Sequence, residues 1–236
     1  MNNTPDVIVL CGGAGLRLRS VVADVPKAMA RIGDRPFLEL LLEKLDRSGF
    51  RRVILATGYQ GDAICNFFGS RFRTIALLYS RESMPLGTGG ALRNAAELVK
   101  SDAVIVTNGD SYTEANLTRF VLEFQQAKAE ISVLVVCPDG RKDCGTVAIK
   151  DDGSLSSFSE KNCVQAEHYI NAGIYMISRE RLHDMPKGVQ LSLEHEVLPR
   201  WIRSGVTVRS FIHRGACLDI GTPKRYRRAQ DLLQNA

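Results

Sequence analysis

The stretch VLCGGAGLRLRSVVADVPKAM, residues 9–29, runs from an apolar segment into three glycines and two arginines and ends beside a single lysine. The apolar part, residues 6–11, predicts a strand, and the glycines and arginines after it predict a loop built to approach an anion. Backbone N–H groups in a glycine-rich loop converge on phosphate oxygens, because glycine permits close approach and positive φ. Gly12, Gly13 and Gly15 would supply the amides, Arg17 a forked cation and Lys27 a point cation, which together suit the dispersed charge of a polyphosphate. Glycines alone would indicate a tight turn; glycines, Arg17 and Lys27 in combination favour phosphate. Two common loops are excluded. The chain has no Gly-Lys dipeptide, so it holds no P-loop, and Leu18 stands where the dinucleotide fingerprint needs its third glycine.

Working outward from this loop, branched apolar runs recur at 52–57, 74–79, 103–107 and 131–136. Helical patterns lie between the early ones. Residues 37–48 place Phe37, Leu38, Leu41, Leu42 and Leu45 on one face before Gly49, and 91–99 and 117–128 read as helices as well. This alternation predicts an α/β fold, a Rossmann-like three-layer sandwich with a mixed, mostly parallel sheet. After about residue 140 the pattern changes: 145–150 and 155–159 flank Asp152-Gly153, a hairpin signal. Further strands are expected at 168–178 and 206–212, a helix at 193–203, and a last helix that Thr222 caps and Pro223 opens. The chain reads as one domain whose pattern changes between 1–136 and 137–236.

Composition narrows the classes. The 236 residues carry a formal charge of +5, and the basic residues are scattered among acidic ones, which gives nucleic-acid binding little support. Lys224, Arg225, Arg227 and Arg228 read as a solvated helix face or a subunit contact. The opening MNNTPD has no signal-peptide pattern and no later run is long enough to span a bilayer, so the expected location is the cytoplasm, without membrane contact. The six cysteines form no C-x-x-C pair, and they read as free thiols, mostly in the core.

Two carboxylates complete the reading. Asp110, in VIVTNGDSY, stands at the carboxyl end of an apolar strand, the ligand edge of an open α/β sheet. Asp219, in CLDIGTP, has the same setting. Two strand-end carboxylates suit Mg²⁺, a hard cation that takes few carboxylates and completes its shell with substrate phosphates. Glu194, His195 and Glu196 do not read as a metal cluster, since consecutive helical residues do not share a face. Trp201 reads as core, and Tyr112 as touching substrate or capping the loop.

Together with PLGTGGAL (85–92), NGD (108–110), FSEK (158–161), NAG (171–173) and LDIGTP (218–223), the opening motif resembles the sugar-1-phosphate nucleotidyltransferases over essentially the whole chain. Within that family, LRSVVADVPKAMARI, PFLELLL, GYQGD and PLGTGGAL are most similar to the D-glycero-α-D-manno-heptose 1-phosphate guanylyltransferases of surface-polysaccharide pathways. The resemblance implies the nucleotide-diphospho-sugar transferase fold, here without the C-terminal β-helix of some relatives, as a single domain with 1–136 as its nucleotide-binding part and 137–236 as its sugar-phosphate-binding part. It also implies that GTP and a sugar 1-phosphate are the partners, that Mg²⁺ is the cofactor, and that the chain forms a homo-oligomer of an order the sequence does not set. Leu10, Gly12, Gly13, Gly15, Gly87, Thr88 and Asn108 would then bind the nucleotide, with Arg17 on the outgoing pyrophosphate and Lys27 near the α-phosphate. Asp110 and Asp219 would hold the metal. Lys161 would hold the sugar phosphate, Glu160 a sugar hydroxyl, and Gly145, Asn171 and Glu194 would line the sugar pocket. Ala28 stands where many relatives carry proline, and Cys217 where they carry an aromatic residue.

Alternatives stay open at this point. Mannose 1-phosphate with GTP, or a hexose 1-phosphate with UTP, CTP or dTTP, would use the same chemistry. A non-catalytic nucleotide-sugar sensor would have lost one of Arg17, Lys27, Asp110, Lys161 or Asp219, and all five are present.

Overall fold

The computed structural model describes residues 4–22, 25–137, 144–160 and 169–233. The chain opens with β1 (Asp6–Leu10) and a short ribbon of β2 (Arg31–Ile32) and β3 (Arg35–Pro36), then α1 (Phe37–Arg47) and β4 (Arg52–Thr57). Next come α2 (Gly61–Phe68), β5 (Arg71–Phe72), β6 (Ile75–Arg81), α3 (Gly87–Ala95), β7 (Ala103–Asn108), β8 (Ser111–Thr113) and α4 (Leu117–Gln126). The second half holds β9 (Ile131–Val136), the hairpin β10 (Gly145–Ile149) and β11 (Leu155–Glu160), β12 (Tyr169–Ser178) and α5 (Arg179–His183). It ends with α6 (Leu198–Arg203), β13 (Val208–His213), β14 (Cys217–Asp219) and α7 (Pro223–Leu233).

One ten-stranded sheet organises these elements in the order β11-β10-β12-β7-β1-β4-β6-β5, with β9 on β12 and β13 beside β9. The pairs β1–β4, β1–β7 and β4–β6 are parallel, whereas β12 runs antiparallel to both β7 and β9. The mixed, mainly parallel sheet expected from the sequence is thus present.

Alternation along β1 decides which face each residue serves. Val7 and Val9 enter one apolar layer with Leu38, Leu41, Leu42 and Leu45 of α1, while Ile8 enters the other with Ala91, Leu92 and Ala95 of α3. The leucines of α1 recur at helical spacing, and the chain leaves the helix through Gly49 at φ 87°. The hairpin turns at Gly153, φ 81°, where the Asp152 carboxylate accepts the Ser154 N–H at 2.8 Å. Thr222 caps α7, its hydroxyl accepting the Arg225 N–H at 3.4 Å.

Three elements differ from expectation. The helix expected over 91–99 begins at Gly87, because three of its first four residues are glycines packed where a side chain would clash: a Cβ on Gly87 would lie 2.6 Å from the Leu191 carbonyl oxygen. The helix expected over 193–203 starts as a π-helical turn, Leu193–Val197, before becoming α-helical. Helix α2, which the sequence reading missed, is only eight residues long and buries Ile64 and Phe68, one turn apart. Of the described cysteines, Cys11 and Cys217 are core, Cys65 and Cys144 half-buried and Cys137 exposed; Cys163 lies outside the described residues. Trp201 is buried in the core as expected, and Tyr112 is buried in a separate apolar cluster with Leu218 and Tyr226. Among the described residues, no helix is long and apolar enough to cross a membrane.

Candidate active site

The carboxyl ends of β1, β4 and β7 stop level with one another: Leu10 is the register partner of Ala56 on one side and of Asn108 on the other. Just past this edge the loops are fastened to one another. Cys11 N–H donates to Ala56 O at 2.9 Å, Gly109 N–H to Leu10 O at 2.8 Å, and Tyr59 N–H to Gly12 O at 3.0 Å. A Cβ on Gly12 would lie 3.0 Å from Gly58 N, so the glycine is what lets the two loops meet. They enclose a cleft of about 870 Å³, within the range of small-ligand sites.

Ten of the residues expected to bind or act on the nucleotide line this cleft: Leu10, Gly12, Gly13, Gly15 and Arg17 from the first loop, then Lys27, Gly87, Thr88, Asn108 and Asp110. Gly15 has φ +59°, the left-handed conformation anticipated for the loop, and the Lys27 side chain crosses its α-carbon. Lys27 begins a single 3-10 turn whose Ala28 is buried, an apolar anchor beside the cation.

The Lys27 ammonium forms an ion pair with the Asp110 carboxylate. Asp219 arrives beside Asp110 because β14 and β8 form a two-stranded antiparallel ribbon in which Asp219 faces Ser111, and Ile220 N–H donates to Asp110 O at 3.0 Å. A Cβ on Gly221 would lie 2.9 Å from Asp219 Oδ1 and 3.5 Å from Lys27 Nζ, so the lysine and both carboxylates group around one point. The convergence required of two aspartates far apart in sequence is therefore present. Asp219 is also held by Arg225 at 3.0 Å, so this member of the basic α7 group turns inward and is not part of a solvated face. Among the described residues no group of three or more His, Cys, Asp or Glu is poised for a metal. An oxygen-only pair of carboxylates fits Mg²⁺, which takes few protein ligands when phosphates supply the rest.

The other end of the cleft holds a residue that the sequence reading missed. Glu82 comes directly after the last residue of β6, at the same sheet edge as Asp110, and that position was the available signal. One of its carboxylate oxygens accepts the Leu86 N–H at 3.0 Å, and the other lies 3.3 Å from where a Cβ on Gly12 would stand. Burial raises its carboxyl pKa above the ordinary range, against the lowering effect of the Leu86 hydrogen bond. Tyr59, also missed, lines the cleft with Arg19 stacked on its ring at 4.9 Å.

The residues expected around the sugar fall into a second group. Gly145 is the register partner of Glu160, and a Cβ on it would lie 3.5 Å from Asn171 Cβ, so these three backbone positions are brought together. Asn171 sits at a β-bulge, where the register of β12 against β9 shifts between Asn171 and Ile174 and Gly173 adopts φ 71°. Lys161 lies outside the described residues, as does the side chain of Glu160. Glu194 is only 9% exposed. Its oxygens accept from Thr88 Oγ1 at 2.5 Å and from the Tyr175 hydroxyl at 3.2 Å.

A sheet edge that offers glycine amides and cations at one place and paired carboxylates beside it defines an enzyme of nucleotide chemistry acting at phosphorus. The chain belongs to the Nucleotidyl transferase family, whose profile matches residues 6–236. It is 33% identical over 219 residues to the D-glycero-alpha-D-manno-heptose 1-phosphate guanylyltransferase of Campylobacter jejuni, covering 93% of this chain and 96% of that one. It is 34% identical over 230 residues to the protein of the same name from Aneurinibacillus thermoaerophilus, covering 98% of this chain and 99% of that one. The crystal structure of HddC from Yersinia pseudotuberculosis complexed with GMP-PN superposes with a TM-score of 0.85 at 31% identity, covering 98% of this chain and all of that one (100%). The chain is thus a nucleotidyltransferase.

Proposed function

We propose that this enzyme transfers the guanylyl group of GTP to D-glycero-α-D-manno-heptose 1-phosphate, releasing pyrophosphate and forming the GDP-heptose used to build a surface polysaccharide. Similarity to two guanylyltransferases of that specificity over nearly the full chain supports the sugar. The base is supported by Glu82. A carboxylate offers two acceptors side by side, which matches the adjacent N1–H and N2–H donors on the edge of guanine. Uracil and thymine present a single N–H between two carbonyl oxygens, which a carboxylate repels, and cytosine presents an acceptor at N3.

In this reaction an oxygen of the sugar phosphate forms a bond to the α-phosphorus as the bond from that phosphorus to the bridging oxygen breaks, and pyrophosphate departs with the electron pair. The nucleophile is already anionic, so no general base is required. The barrier is repulsion between two polyanions, and the chain's residues reduce it by position and charge. The amides of the 12–15 loop and Arg17 hold the outer phosphates, Lys27 lies beside the reacting one, and Lys161 takes the sugar phosphate. Asp110 and Asp219 would hold Mg²⁺, which when bound supplies positive charge to the phosphates. The observation that carries this reading is the grouping of Lys27, Asp110 and Asp219 at the end of a glycine-lined cleft.

Pyrophosphate release measured across the four nucleoside triphosphates, each with heptose, mannose and glucose 1-phosphates, tests it. Release with GTP and the heptose phosphate is expected to exceed every other pair. Absence of release with GTP would remove the guanylyl assignment, and preference for mannose 1-phosphate would replace the sugar.

A further inference from the structure

Tyr175 has no exposed surface, yet its hydroxyl stands in a chain of hydrogen bonds that runs from the nucleotide cleft to the bulge in β12. The direction of each bond is set by one fixed donor at either end. At the bulge, Gly173 N–H meets Asn171 Oδ1 at 3.0 Å, so the amide nitrogen of Asn171 must face the other way, and it donates to the Tyr175 hydroxyl at 2.7 Å. That hydroxyl accepts from Asn171, and its own proton goes to Glu194 Oε1 at 3.2 Å. At the cleft, Leu193 N–H donates to Thr88 Oγ1 at 2.8 Å, which sends the Thr88 proton to Glu194 Oε2 at 2.5 Å. Both carboxylate oxygens accept, so the arrangement suits the ionised acid and joins the first turn of α3 to β12 through one side chain.

We infer that Tyr175 and Glu194 form a positioning unit that aligns the sugar-phosphate pocket with the nucleotide cleft. Neither side chain needs to touch the sugar for this. Resting on the guanylyltransferase reading above, the unit does two things. It fixes which face of the Asn171 amide, oxygen or nitrogen, meets a sugar hydroxyl, and it ties that choice to the helix turn carrying Gly87 and Thr88 on the nucleotide side. An isolated amide could rotate by half a turn and present the opposite polarity. With Gly173 N–H on one atom and the Tyr175–Glu194 pair on the other, that rotation would set donor against donor at one end and leave a buried acceptor short at the other, which is costly in a low-dielectric interior. Glycine at 173 is part of the device: at φ 71° it turns its N–H onto Asn171, and a Cβ there would lie 2.5 Å from the Asn108 amide nitrogen in the cleft.

The test is a KM comparison on the full-length enzyme with GTP and D-glycero-α-D-manno-heptose 1-phosphate. Tyr175→Phe keeps the ring and removes only the hydroxyl. It is expected to raise the KM for the sugar phosphate about tenfold, as for a hydrogen bond to a charged group, while the KM for GTP stays within about twofold. Thr88→Val is expected to raise the KM for GTP, with Thr88→Ser restoring it. Glu194→Gln is expected to raise both constants, and adding Tyr175→Phe to it should change the sugar-phosphate KM by less than about twofold, since the two act as one unit. An unchanged sugar-phosphate KM in Tyr175→Phe, or effects of the two substitutions that multiply in full, would overturn the inference. Should Tyr175→Phe fail to fold, Glu194→Gln decides, because a sugar-phosphate KM unchanged there has the same meaning. If the wild-type enzyme releases no pyrophosphate, the proposed function falls and takes this inference with it; wild-type turnover with unaltered variants sinks only the inference.

Discussion

Gly15 lies so close under the Lys27 side chain that a Cβ on the glycine would stand 2.9 Å from Lys27 Cβ. The two ends of the opening motif therefore meet, and the cation is seated by the absence of a side chain. Gly15→Ala forces a non-glycine residue to φ +59° as well as displacing the lysine. We expect a loss of about 1–2 kcal/mol in stability, seen as a lowered thermal midpoint, together with a raised KM for GTP. A variant with wild-type KM would show that the loop does not depend on this contact.

Asp110 and Asp219 are expected to contribute together. Asp110→Asn and Asp219→Asn should each lower kcat by about 10²–10³ and raise the Mg²⁺ concentration needed for half-maximal activity. Chelation should abolish pyrophosphate release by the wild-type enzyme, and added Mg²⁺ should restore it. Circular dichroism separates loss of chemistry from loss of fold, since Asp110 lies in the turn before β8 and Asp219 ends β14, both outside the ten-stranded sheet.

Glu82→Gln should reduce the preference for GTP over UTP by about tenfold or more, measured as the ratio of kcat/KM values. The acidic limb of the pH profile gives a second measurement. Burial holds this carboxyl above its usual range, and the guanine contact needs the charged form, so GTP affinity should weaken as pH falls through that raised value. In Glu82→Gln that part of the pH dependence should disappear. Persistence of the full dependence would assign it to another group.

The thiols should react unequally. Cys11 is buried, and burial together with the nearby Glu82 charge pushes its pKa up to about 12, so it carries almost no thiolate at neutral pH. Cys137 is exposed. Mass spectrometry after brief alkylation of the native protein should find Cys137 modified and Cys11 untouched until the protein is unfolded. Early modification at Cys11 would contradict the burial.

Features that depend on local chemistry were legible in the sequence. The glycine loop, the alternation in β1 and the leucine face of α1 are written in adjacent residues, and so were the turns at Asp152-Gly153 and Thr222-Pro223. The strand-end rule placed Asp110 at the edge of the main sheet, whereas Asp219 reaches it from the separate β8–β14 ribbon, a pairing that no local signal shows. What could not be read arises from packing between distant segments. Arg225 looked like part of a basic surface because nothing local shows that α7 turns it onto Asp219. The start of α3 at Gly87 was not legible because glycines disfavour helices, and only the Leu191 backbone lying against Gly87 and Gly89 explains their use. The bonds of Glu194 to Thr88 and Tyr175 likewise appear only when three elements come together.

The most direct measurement tracks a label placed on the α-phosphate of GTP during incubation with D-glycero-α-D-manno-heptose 1-phosphate and Mg²⁺. The account predicts that the label enters the sugar nucleotide, that one pyrophosphate appears for each transfer, and that Asp110→Asn suppresses both together. Label remaining in GDP with release of inorganic phosphate, or transfer undiminished in Asp110→Asn, would contradict it.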